Sequence, residues 1–227
     1  MQKIINNTQT IINASQSNAV SITDRGLNYG DGFFTTAKIV NGQVEYWHYH
    51  KARLAECAER LAFPELDFSP LEQHIHNQVK QKQTGVLKIL VTRGEGGRGY
   101  NLPSECNLTI VVSVLEYPAN YNALAEQGVS LGISPIKLAA QPLLAGLKTL
   151  NRLEQVLIKK AMQTQNCDDV LVLDYNNQVI EASAANIFAI KHGKVFTPKL
   201  NECGIKGVYL QALCDKLTVE FKHITVN

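Results

Sequence analysis

A glycine-rich segment between two β-rich runs restricts the fold of this chain more than any other feature. Residues 94–99, Gly-Glu-Gly-Gly-Arg-Gly, follow the β-rich run 86–92 and satisfy the pattern G-x-G-x-x-G. In a dinucleotide-binding fold that pattern must open a helix within a βαβ unit. Here residues 100–103, Tyr-Asn-Leu-Pro, follow, and the next β-rich run, 108–115, begins too soon for a parallel helical crossover. We therefore reject a dinucleotide fold and predict an antiparallel pair of strands.

The rest of the first part is predicted to be an α+β domain over residues 1–116. Asn41-Gly42 is a strong hairpin turn signal between two short β-rich runs. Residues 49–61 have the apolar spacing of a helix, and residues 71–83 form a second, mostly polar helix. Together with the two strands on either side of the glycines, these elements predict a mainly antiparallel sheet.

A change of composition separates this part from the remainder of the chain. Residues 117–126 begin Tyr-Pro-Ala-Asn-Tyr-Asn and are predicted to connect two domains. Residues 127–227 would form the second domain, with a helix at 152–163 and hairpin turns at 175–177 and 192–193.

Further details of the second domain follow from residue spacing. Asn151 is expected to cap the helix 152–163, whose inner face would carry four apolar residues: Leu153, Val156, Leu157 and Ala161. A helix over 208–217 and a strand over 221–226 are expected at the end. Because the sequence stops immediately after that strand, we expect that the C-terminal part of the domain is missing.

Composition and charge exclude several classes of protein. The chain has 227 residues, 45% of them hydrophobic and 19% charged, which is typical of a globular protein. Its formal net charge of +2 gives no basic field for nucleic acid, and no apolar run approaches the roughly 20 residues that cross a bilayer. Five scattered cysteines without a C-x-x-C pattern indicate reduced thiols in the cytoplasm. The histidine pairs 48/50 and 74/76 lack the spacing of a metal site.

Lys148 is a lone cation between an apolar loop, residues 144–147, and the predicted helix 152–163. Burial among apolar neighbours disfavours the charged form of a lysine and lowers its pKa. An amine tuned in this way can act as a nucleophile and form Schiff bases. The alternative for Lys148, taken alone, is a solvated lysine near the start of a helix.

Other positions have the chemistry of an anion or cofactor site, and each has an ordinary alternative. Arg53 can hold a phosphate through two hydrogen bonds, or it can be an exposed helical arginine. Glu181 precedes a run of small residues, which permit a ligand to approach the backbone closely. Its carboxylate can therefore pair with a protonated ring nitrogen of such a ligand, or it can simply lie at the end of a hairpin. Residues 204–208 lead into a helix, and the first N–H groups of that helix can bind an anion. Alternatively, the segment is an ordinary connection between a loop and a helix. The loop with Arg98 and Tyr100 can be an anion-binding lip or a surface turn.

Taken together, these residues resemble the fold-type IV pyridoxal-phosphate enzymes over essentially the whole chain. This family includes branched-chain and D-amino acid aminotransferases and aminodeoxychorismate lyases. Six stretches carry the resemblance, in order: DRG (24–26), YGDGFFTT (29–36), HKARL (50–54), TRGEGGRGY (92–100), AGLKTLNRLEQ (145–155) and EASAANIF (181–188). The resemblance implies a two-domain α+β / α/β fold, with a small N-terminal α+β domain and a larger C-terminal domain that has a barrel-like sheet.

The resemblance also implies which residues bind the cofactor, pyridoxal 5'-phosphate (PLP). Lys148 would form the Schiff base with it, and Glu181 would pair with its pyridine nitrogen. Arg53 would hold the cofactor phosphate, helped by the backbone N–H groups of Val208 and Tyr209.

Four more residues receive a role from the same resemblance. Asn186 would lie near the cofactor, while Thr36, Arg98 and Tyr100 would face the substrate. Residues 208–211 depart from the family pattern, because relatives often place a threonine or methionine followed by an arginine there. Backbone contacts with a phosphate would survive that change, whereas a side-chain contact would not.

The activity implied by the resemblance is that of a PLP-dependent lyase. Its substrate would be the small molecule 4-amino-4-deoxychorismate, and its products 4-aminobenzoate and pyruvate, as in folate biosynthesis. The alternatives are an aminotransferase of the D-amino acid or branched-chain type on the same scaffold, and a non-catalytic truncated homologue. The resemblance further implies a homodimer.

Overall fold

The computed structural model describes residues 3–6, 11–12, 15–16 and 19–226, and these divide into two compact units. The first unit contains the described residues up to Tyr117 together with Lys148–Asn151. The second unit contains Pro118–Leu147 and the described residues from Arg152 onward. The chain therefore enters the first unit again at Lys148 and leaves it after Asn151.

The first unit is built on a five-stranded sheet and the helices that cover it. Its elements, in chain order, are β1 (Lys3–Asn6), β2 (Ile11–Ile12), β3 (Ser15–Gln16), α1 (Arg25–Tyr29), β4 (Gly32–Val40), β5 (Gln43–Val44), α2 (Trp47–Arg60), α3 (Phe68–Val79), β6 (Thr84–Thr92) and β7 (Thr109–Leu115). The strand order of the large sheet is β1-β7-β6-β4-β5. All neighbouring pairs are antiparallel except β1 and β7. The prediction of antiparallel strands on either side of the glycine-rich segment is confirmed.

Burial alternates along the central strands, because successive side chains of a strand point to opposite faces. In β4 the side chains of Phe33, Thr35 and Ile39 are buried on the face covered by α2, whereas Thr36 is exposed on the other face. Strands β6 and β7 show the same alternation. The sheet therefore has one packed face and one open face.

The predicted hairpin turn at Asn41-Gly42 is confirmed. Both residues have positive φ, 48° for Asn41 and 75° for Gly42, and they join β4 to β5. Two consecutive residues of positive φ match the right-handed twist of the flanking strands, and asparagine and glycine adopt that conformation most easily.

The second unit has smaller sheets and a separate core. Its elements are α4 (Tyr121–Gln127), β8 (Leu131–Ile133), α5 (Leu153–Met162), β9 (Asp169–Leu173), β10 (Val179–Ala182), β11 (Ala189–Lys191), β12 (Lys194–Pro198), α6 (Val208–Cys214) and β13 (Val219–Lys222). Among the described residues these strands form two three-stranded sheets, β10-β9-β8 and β11-β12-β13. One buried cluster packs α5 against the first of these sheets and the neighbouring loops: Leu138, Ile158, Val170, Val172, Ile180 and Cys203.

The predicted inner face of α5 is wrong. Leu153 and Val156 are 70% and 60% exposed, and Leu157 is exposed as well, whereas Ile158 is fully buried. An apolar stripe at helical spacing indicates burial. It does not distinguish a helix face that is buried in its own unit from one that is exposed in the single chain. The apolar face of α5 is of the second kind.

Two smaller predictions about this unit also fail. Asn151 does not cap α5, because its side-chain amide donates to the backbone oxygen of Gly30 (3.2 Å) and the N-cap position is Arg152. The last strand, β13, is displaced towards the N-terminus from the predicted residues 221–226, since it pairs in parallel with β12 from Val219 onward.

No helix in the described part of the chain is both long enough and apolar enough to cross a membrane. All five cysteines are free thiols.

Candidate active site

Lys148 belongs to a short segment that runs along β4 in the first unit. The backbone N–H of Phe34 donates to the oxygen of Lys148 (2.9 Å), and the N–H of Leu150 donates to the oxygen of Gly32 (2.9 Å). The ammonium nitrogen lies 4.6 Å from the ring centroid of Phe34, whose negative face attracts a cation. The side chain is half-buried. The backbone thus fixes the lysine while part of the side chain stays open to solvent.

Helix α2 places three buried polar side chains in the same unit: His50, Arg53 and Cys57. They lie three and four residues apart, so they share one face of the helix. Burial raises the pKa of the Cys57 thiol, and a hydrogen bond with the backbone of Lys148 opposes that rise. Cys57 therefore connects α2, one turn after Arg53, with the segment that carries Lys148.

Arg53 is a cation with little water around it, since the residue is only 7% exposed. Desolvation lowers the pKa of its guanidinium, and the attraction of Cys57 and Glu56 opposes this shift. A guanidinium deprived of water gains from an anion that accepts two hydrogen bonds in its plane. Arg53 therefore has the chemistry that a phosphate-binding residue needs.

His50 is neutral next to Arg53. Its Nδ1 and the Oγ1 of Thr35 form a buried hydrogen bond of 2.6 Å. Burial, and then the positive charge of Arg53, lower the pKa of His50 to about 4. At neutral pH the histidine therefore adds no second positive charge to this buried cluster.

Glu181 lies in strand β10 of the second unit, only 5% exposed. Its Oε2 accepts a hydrogen bond from the backbone N–H of Ile205 (2.8 Å). The register of β10 shifts between Val179 and Glu181, and such bulges redirect side chains. Burial lowers the pKa of Arg152, and the negative charge of Glu181 opposes that shift. A buried carboxylate is thus held by a backbone donor and a neighbouring cation.

Asn186 is fixed by the same loop that holds Glu181. Its Nδ2 donates to the backbone oxygen of Ile205 (2.8 Å), and its Oδ1 accepts from the N–H of Gly207 (2.9 Å). A Cβ at Gly207 would overlap Asn186 Oδ1. The loop and the two side chains therefore form one connected arrangement within the second unit.

Helix α6 begins at Val208, immediately after that loop, with Gly207 at its N-cap. The first hydrogen bond of the helical ladder runs from Gln211 N–H to Gly207 oxygen (3.2 Å). The N–H groups of Val208 and Tyr209 precede this bond, so they lie in the first turn, where the partial positive charge of a helix is located. The side chain of Val208 is buried and that of Tyr209 is exposed.

The three predicted substrate residues lie on open parts of the first unit. Thr36 is exposed on the open face of the sheet, one position away from Thr35. Arg98 and Tyr100 lie on the exposed glycine-rich loop, and Tyr100 is 87% exposed with its ring 5.5 Å from that of Tyr29.

The structure brings the predicted residues together in two groups. Lys148 and Arg53, which lies on α2, share the first unit, while Glu181, Asn186 and the start of α6 share the second. His50, Arg152 and Arg25 have no role predicted from the sequence, although all three lie in the stretches that carry the family resemblance. The available signal was their place inside those stretches.

Comparison with known proteins places the chain in a family. The sequence model of the amino-transferase class IV family matches residues 32–227. The chain therefore belongs to this family, whose members depend on PLP. The fold-type IV prediction and the cofactor prediction are confirmed at the level of the family.

Individual relatives show which members of the family the chain is similar to. An aminodeoxychorismate lyase from Vibrio harveyi is 36% identical over 215 residues, which cover 95% of this chain and 79% of the relative. The crystal structure of 4-amino-4-deoxychorismate lyase from Pseudomonas aeruginosa matches with a TM-score of 0.87 and 36% identity, over 92% of this chain and 79% of that one. A D-alanine aminotransferase from Staphylococcus aureus is 29% identical over 236 residues, covering 99% of this chain and 80% of the relative. Branched-chain amino acid aminotransferase from Escherichia coli shares the fold, with a TM-score of 0.80 over 93% of this chain and 75% of that one, at 22% identity.

The residues present fit the family's cofactor. PLP has a phosphate dianion, an aldehyde and a ring nitrogen that can be protonated. The chain offers a buried guanidinium (Arg53), an amine (Lys148) and a buried carboxylate (Glu181), each suited to one of these groups. The donor set therefore matches the cofactor group by group.

Proposed function

We propose that this chain is a PLP-dependent lyase that converts 4-amino-4-deoxychorismate into 4-aminobenzoate and pyruvate. The observation that carries the proposal is the 36% identity to an aminodeoxychorismate lyase over 95% of the chain.

The family resemblance supports a role in cofactor binding for the following residues. Lys148 would attach it covalently through its amine, and Arg53 would bind its phosphate together with the backbone N–H groups of Val208 and Tyr209. Glu181 would accept a hydrogen bond from its protonated ring nitrogen, and Asn186 would lie near it. When bound, PLP supplies a sink for the electron pair that is released at the substrate carbon.

Lys148 would move the protons of the reaction. Its amine, free once the substrate amine has bound, would take the proton from C4 of the substrate as a general base. The C3–oxygen bond then breaks, the ring becomes aromatic, and the departing enolpyruvate carries the bonding electrons on its oxygen. Lys148 would return a proton to the methylene carbon, which turns enolpyruvate into pyruvate.

Glu181 would keep the cofactor in the protonation state that this chemistry needs. A negative charge next to a ring nitrogen favours its protonated form. Because the carboxylate is buried and held by Ile205 N–H, its charge is little screened by water.

Thr36, Arg98 and Tyr100 would bind the substrate. The substrate carries two carboxylates, and the planar guanidinium of Arg98 suits a carboxylate through two parallel hydrogen bonds. Thr36 would offer a hydroxyl from the open face of the sheet, and Tyr100 a ring and a phenolic hydroxyl.

The test is to mix PLP-loaded protein with 4-amino-4-deoxychorismate, without any oxo-acid acceptor, and to follow the fluorescence of 4-aminobenzoate. We expect many product molecules for each protein chain. Absence of product from a protein that retains PLP through gel filtration would reject the lyase, and loss of PLP in the same step would favour a non-catalytic homologue.

A second candidate is an aminotransferase, which the 29% identity to a D-alanine aminotransferase favours. It would use the same lysine and glutamate but would return the proton to the cofactor. The two candidates separate in one experiment, because an aminotransferase needs an oxo-acid acceptor for turnover and the lyase does not.

The dimer and the cellular location are further parts of the proposal. The apolar face of α5, with Leu153, Val156 and Leu157 exposed in the single chain, supports a homodimer, since exposed apolar patches mark interaction surfaces. Light scattering that shows only monomer at micromolar concentration would count against it. The five free thiols support the cytoplasm as its location.

A further inference from the structure

A single arginine, Arg25, is hydrogen-bonded to three backbone carbonyls of the glycine-rich loop. Its Nη1 donates to the oxygens of Gly96 (3.2 Å), Gly99 (3.1 Å) and Asn101 (3.1 Å). Residues 95–102 are exposed, so this loop has little packing of its own. Three carbonyls that converge on one guanidinium nitrogen fix the loop's path on both sides of Arg98.

Arg25 is itself rigidly held. Its Nε donates to Oδ2 of Asp31 (2.7 Å), and its side chain is 5% exposed. Its backbone N–H donates to the oxygen of Gly94 (2.8 Å), at the beginning of the same loop. The guanidinium carbon lies 5.0 Å from the ring centroid of Tyr29, whose ring in turn contacts Tyr100. Arg25 therefore reaches both predicted substrate residues of the loop, Arg98 through its neighbours and Tyr100 through Tyr29.

The glycine next to Arg98 supports the same interpretation. Gly97 has φ +74°, which favours glycine. An added Cβ there would overlap the carbonyl oxygen of Asn101 and come within 3.0 Å of Arg25 Nη1. The close approach of the loop to the guanidinium thus depends on the missing side chain at this position.

We propose that Arg25 is a positioning residue for substrate binding, which acts by fixing the loop that presents Arg98 and Tyr100. It touches neither the substrate nor the cofactor. The part of the proposal that concerns substrate rests on the proposed function, whereas the anchoring of the loop can be tested without any reaction.

The chain offers a matched control in Arg93. This arginine is buried like Arg25, and its Nε donates to the same Oδ2 of Asp31 (2.9 Å). Its Nη atoms, however, donate to the backbone oxygens of Leu61 and Ala62 at the end of α2 and not to the loop. The substitutions R25K and R93K therefore make the same chemical change beside the same carboxylate. Lysine can keep the ion pair but lacks the planar fork that serves several acceptors at once.

The first measurement is limited trypsin digestion of the PLP-loaded protein, with mass spectrometry of the fragment that ends at Arg98. Cleavage of the Arg98–Gly99 bond requires local opening of the loop. Because R25K loses hydrogen bonds to the loop, we expect this fragment to form about tenfold faster than in wild type, and within about twofold of wild type in R93K. Equal rates in wild type and R25K, or equal acceleration in both variants, would overturn the anchoring.

The second measurement is the kinetics of 4-aminobenzoate formation by the same proteins. A misplaced Arg98 weakens substrate binding, so R25K should raise KM by about tenfold and leave kcat within about twofold, with unchanged absorbance of the bound cofactor. A faster tryptic cut with an unchanged KM would reduce Arg25 to a structural residue. A wild-type protein without lyase activity would overturn the proposed function instead, and the tryptic comparison would still decide whether Arg25 anchors the loop.

A second variant keeps the proposal testable if R25K does not fold. Gly97→Ala leaves Arg25 and Asp31 intact but pushes the loop away from the guanidinium. It should show the same two effects, faster cleavage after Arg98 and a higher KM. Gly193→Ala has a similar positive φ and an added Cβ with no neighbour within 4 Å, so it should show neither effect.

Discussion

The two units each bury a charged residue of the candidate site, but they hold it in different ways. In the first unit Arg53 is surrounded by a helix face with neutral His50, and the loss of water lowers its pKa. In the second unit Glu181 accepts a backbone hydrogen bond from Ile205 and has the positive Arg152 as a neighbour. The carboxylate accepts a hydrogen bond from a backbone N–H of its own unit, whereas burial lowers the pKa of the guanidinium more than the attraction of Cys57 and Glu56 raises it.

This difference indicates different tasks. A buried cation that has lost water gains most when a dianion binds, so Arg53 should act mainly on the affinity for the cofactor. A carboxylate that already accepts a backbone hydrogen bond gains less from binding, so Glu181 should act mainly on the reaction, through the charge that it would keep next to the cofactor ring. The predictions below separate these tasks.

The largest effect is expected for Lys148→Ala, because the amine is proposed to act both in cofactor binding and in the reaction. Turnover should fall by about 10⁴-fold or more, because the covalent attachment and the proton transfers are lost together. The absorbance of the covalently bound cofactor should disappear, which a spectrum of the dialysed protein checks. Lys38→Ala, on the open face of the same sheet, is the control and should keep both. Undiminished absorbance in Lys148→Ala would reject the assignment of this lysine.

Glu181→Gln should lower kcat by about 100-fold, since the neutral amide no longer favours a protonated ring nitrogen. The glutamine oxygen can still accept from Ile205 N–H, so the fold and the Kd for PLP should change little. Fixed-time assays at saturating PLP measure kcat, and a fluorescence titration measures the Kd for PLP. Glu202→Gln, an exposed carboxylate of the same unit, serves as control. If Glu181→Gln instead weakened PLP binding and left kcat intact, the division of tasks would be wrong.

Arg53→Gln should have the opposite profile. Loss of a charge-assisted hydrogen bond to a phosphate costs about 2 kcal/mol, which raises the Kd for PLP about 30-fold. At saturating PLP, kcat should remain close to that of wild type. The control is Arg60→Gln on the same helix, whose guanidinium pairs with Glu56 at the surface. A wild-type Kd in Arg53→Gln would remove this residue from the phosphate site.

The smallest expected effect is a dependence of stability on pH through His50. Its pKa is about 4 in the folded chain against an ordinary 6.5, so the unfolded chain binds the proton first as the pH falls. The stabilisation from the neutral histidine is complete above pH 6.5 and is lost between pH 6.5 and 4. Between pH 7 and 5.5 the loss should amount to about 1 kcal/mol of unfolding free energy.

Urea unfolding of wild type and His50→Gln at both pH values measures that loss. The difference between the two proteins isolates the histidine from the carboxylates that titrate at lower pH. If His50→Gln lost as much unfolding free energy between the two pH values as wild type, groups other than His50 would cause the loss.

The parts of the fold that the sequence predicts are those with a local cause. The hairpin turns at 175–177 and 192–193 contain Asn177 and His192 with positive φ of 61° and 51°, and each turn joins two neighbouring antiparallel strands. The antiparallel pairing of β6 and β7 follows from the length of chain between them. In these cases the turn residues or the spacing alone restrict the backbone.

The parts that the sequence does not predict depend on residues far apart in the chain. Nothing near Lys148 indicates that it pairs with β4, because the partners of that segment lie more than a hundred residues earlier. The apolar stripe of α5 is evident in the sequence, but its exposure depends on what the rest of the unit leaves open. The local sequence of Arg25 does not show which groups it contacts, because the three carbonyls that accept its hydrogen bonds lie some seventy residues away.

The pairing of Phe33 with Thr149 has a consequence for the synthesis of this protein. The strands β4, β6 and β7 are complete when the ribosome has made residue 115, but the segment that carries Lys148 has not yet been made. A nascent chain can therefore build most of its first unit early, as N-terminal parts of proteins generally do. Until translation supplies the segment of Lys148, the N–H of Phe34 lacks the carbonyl that accepts its hydrogen bond in the complete structure.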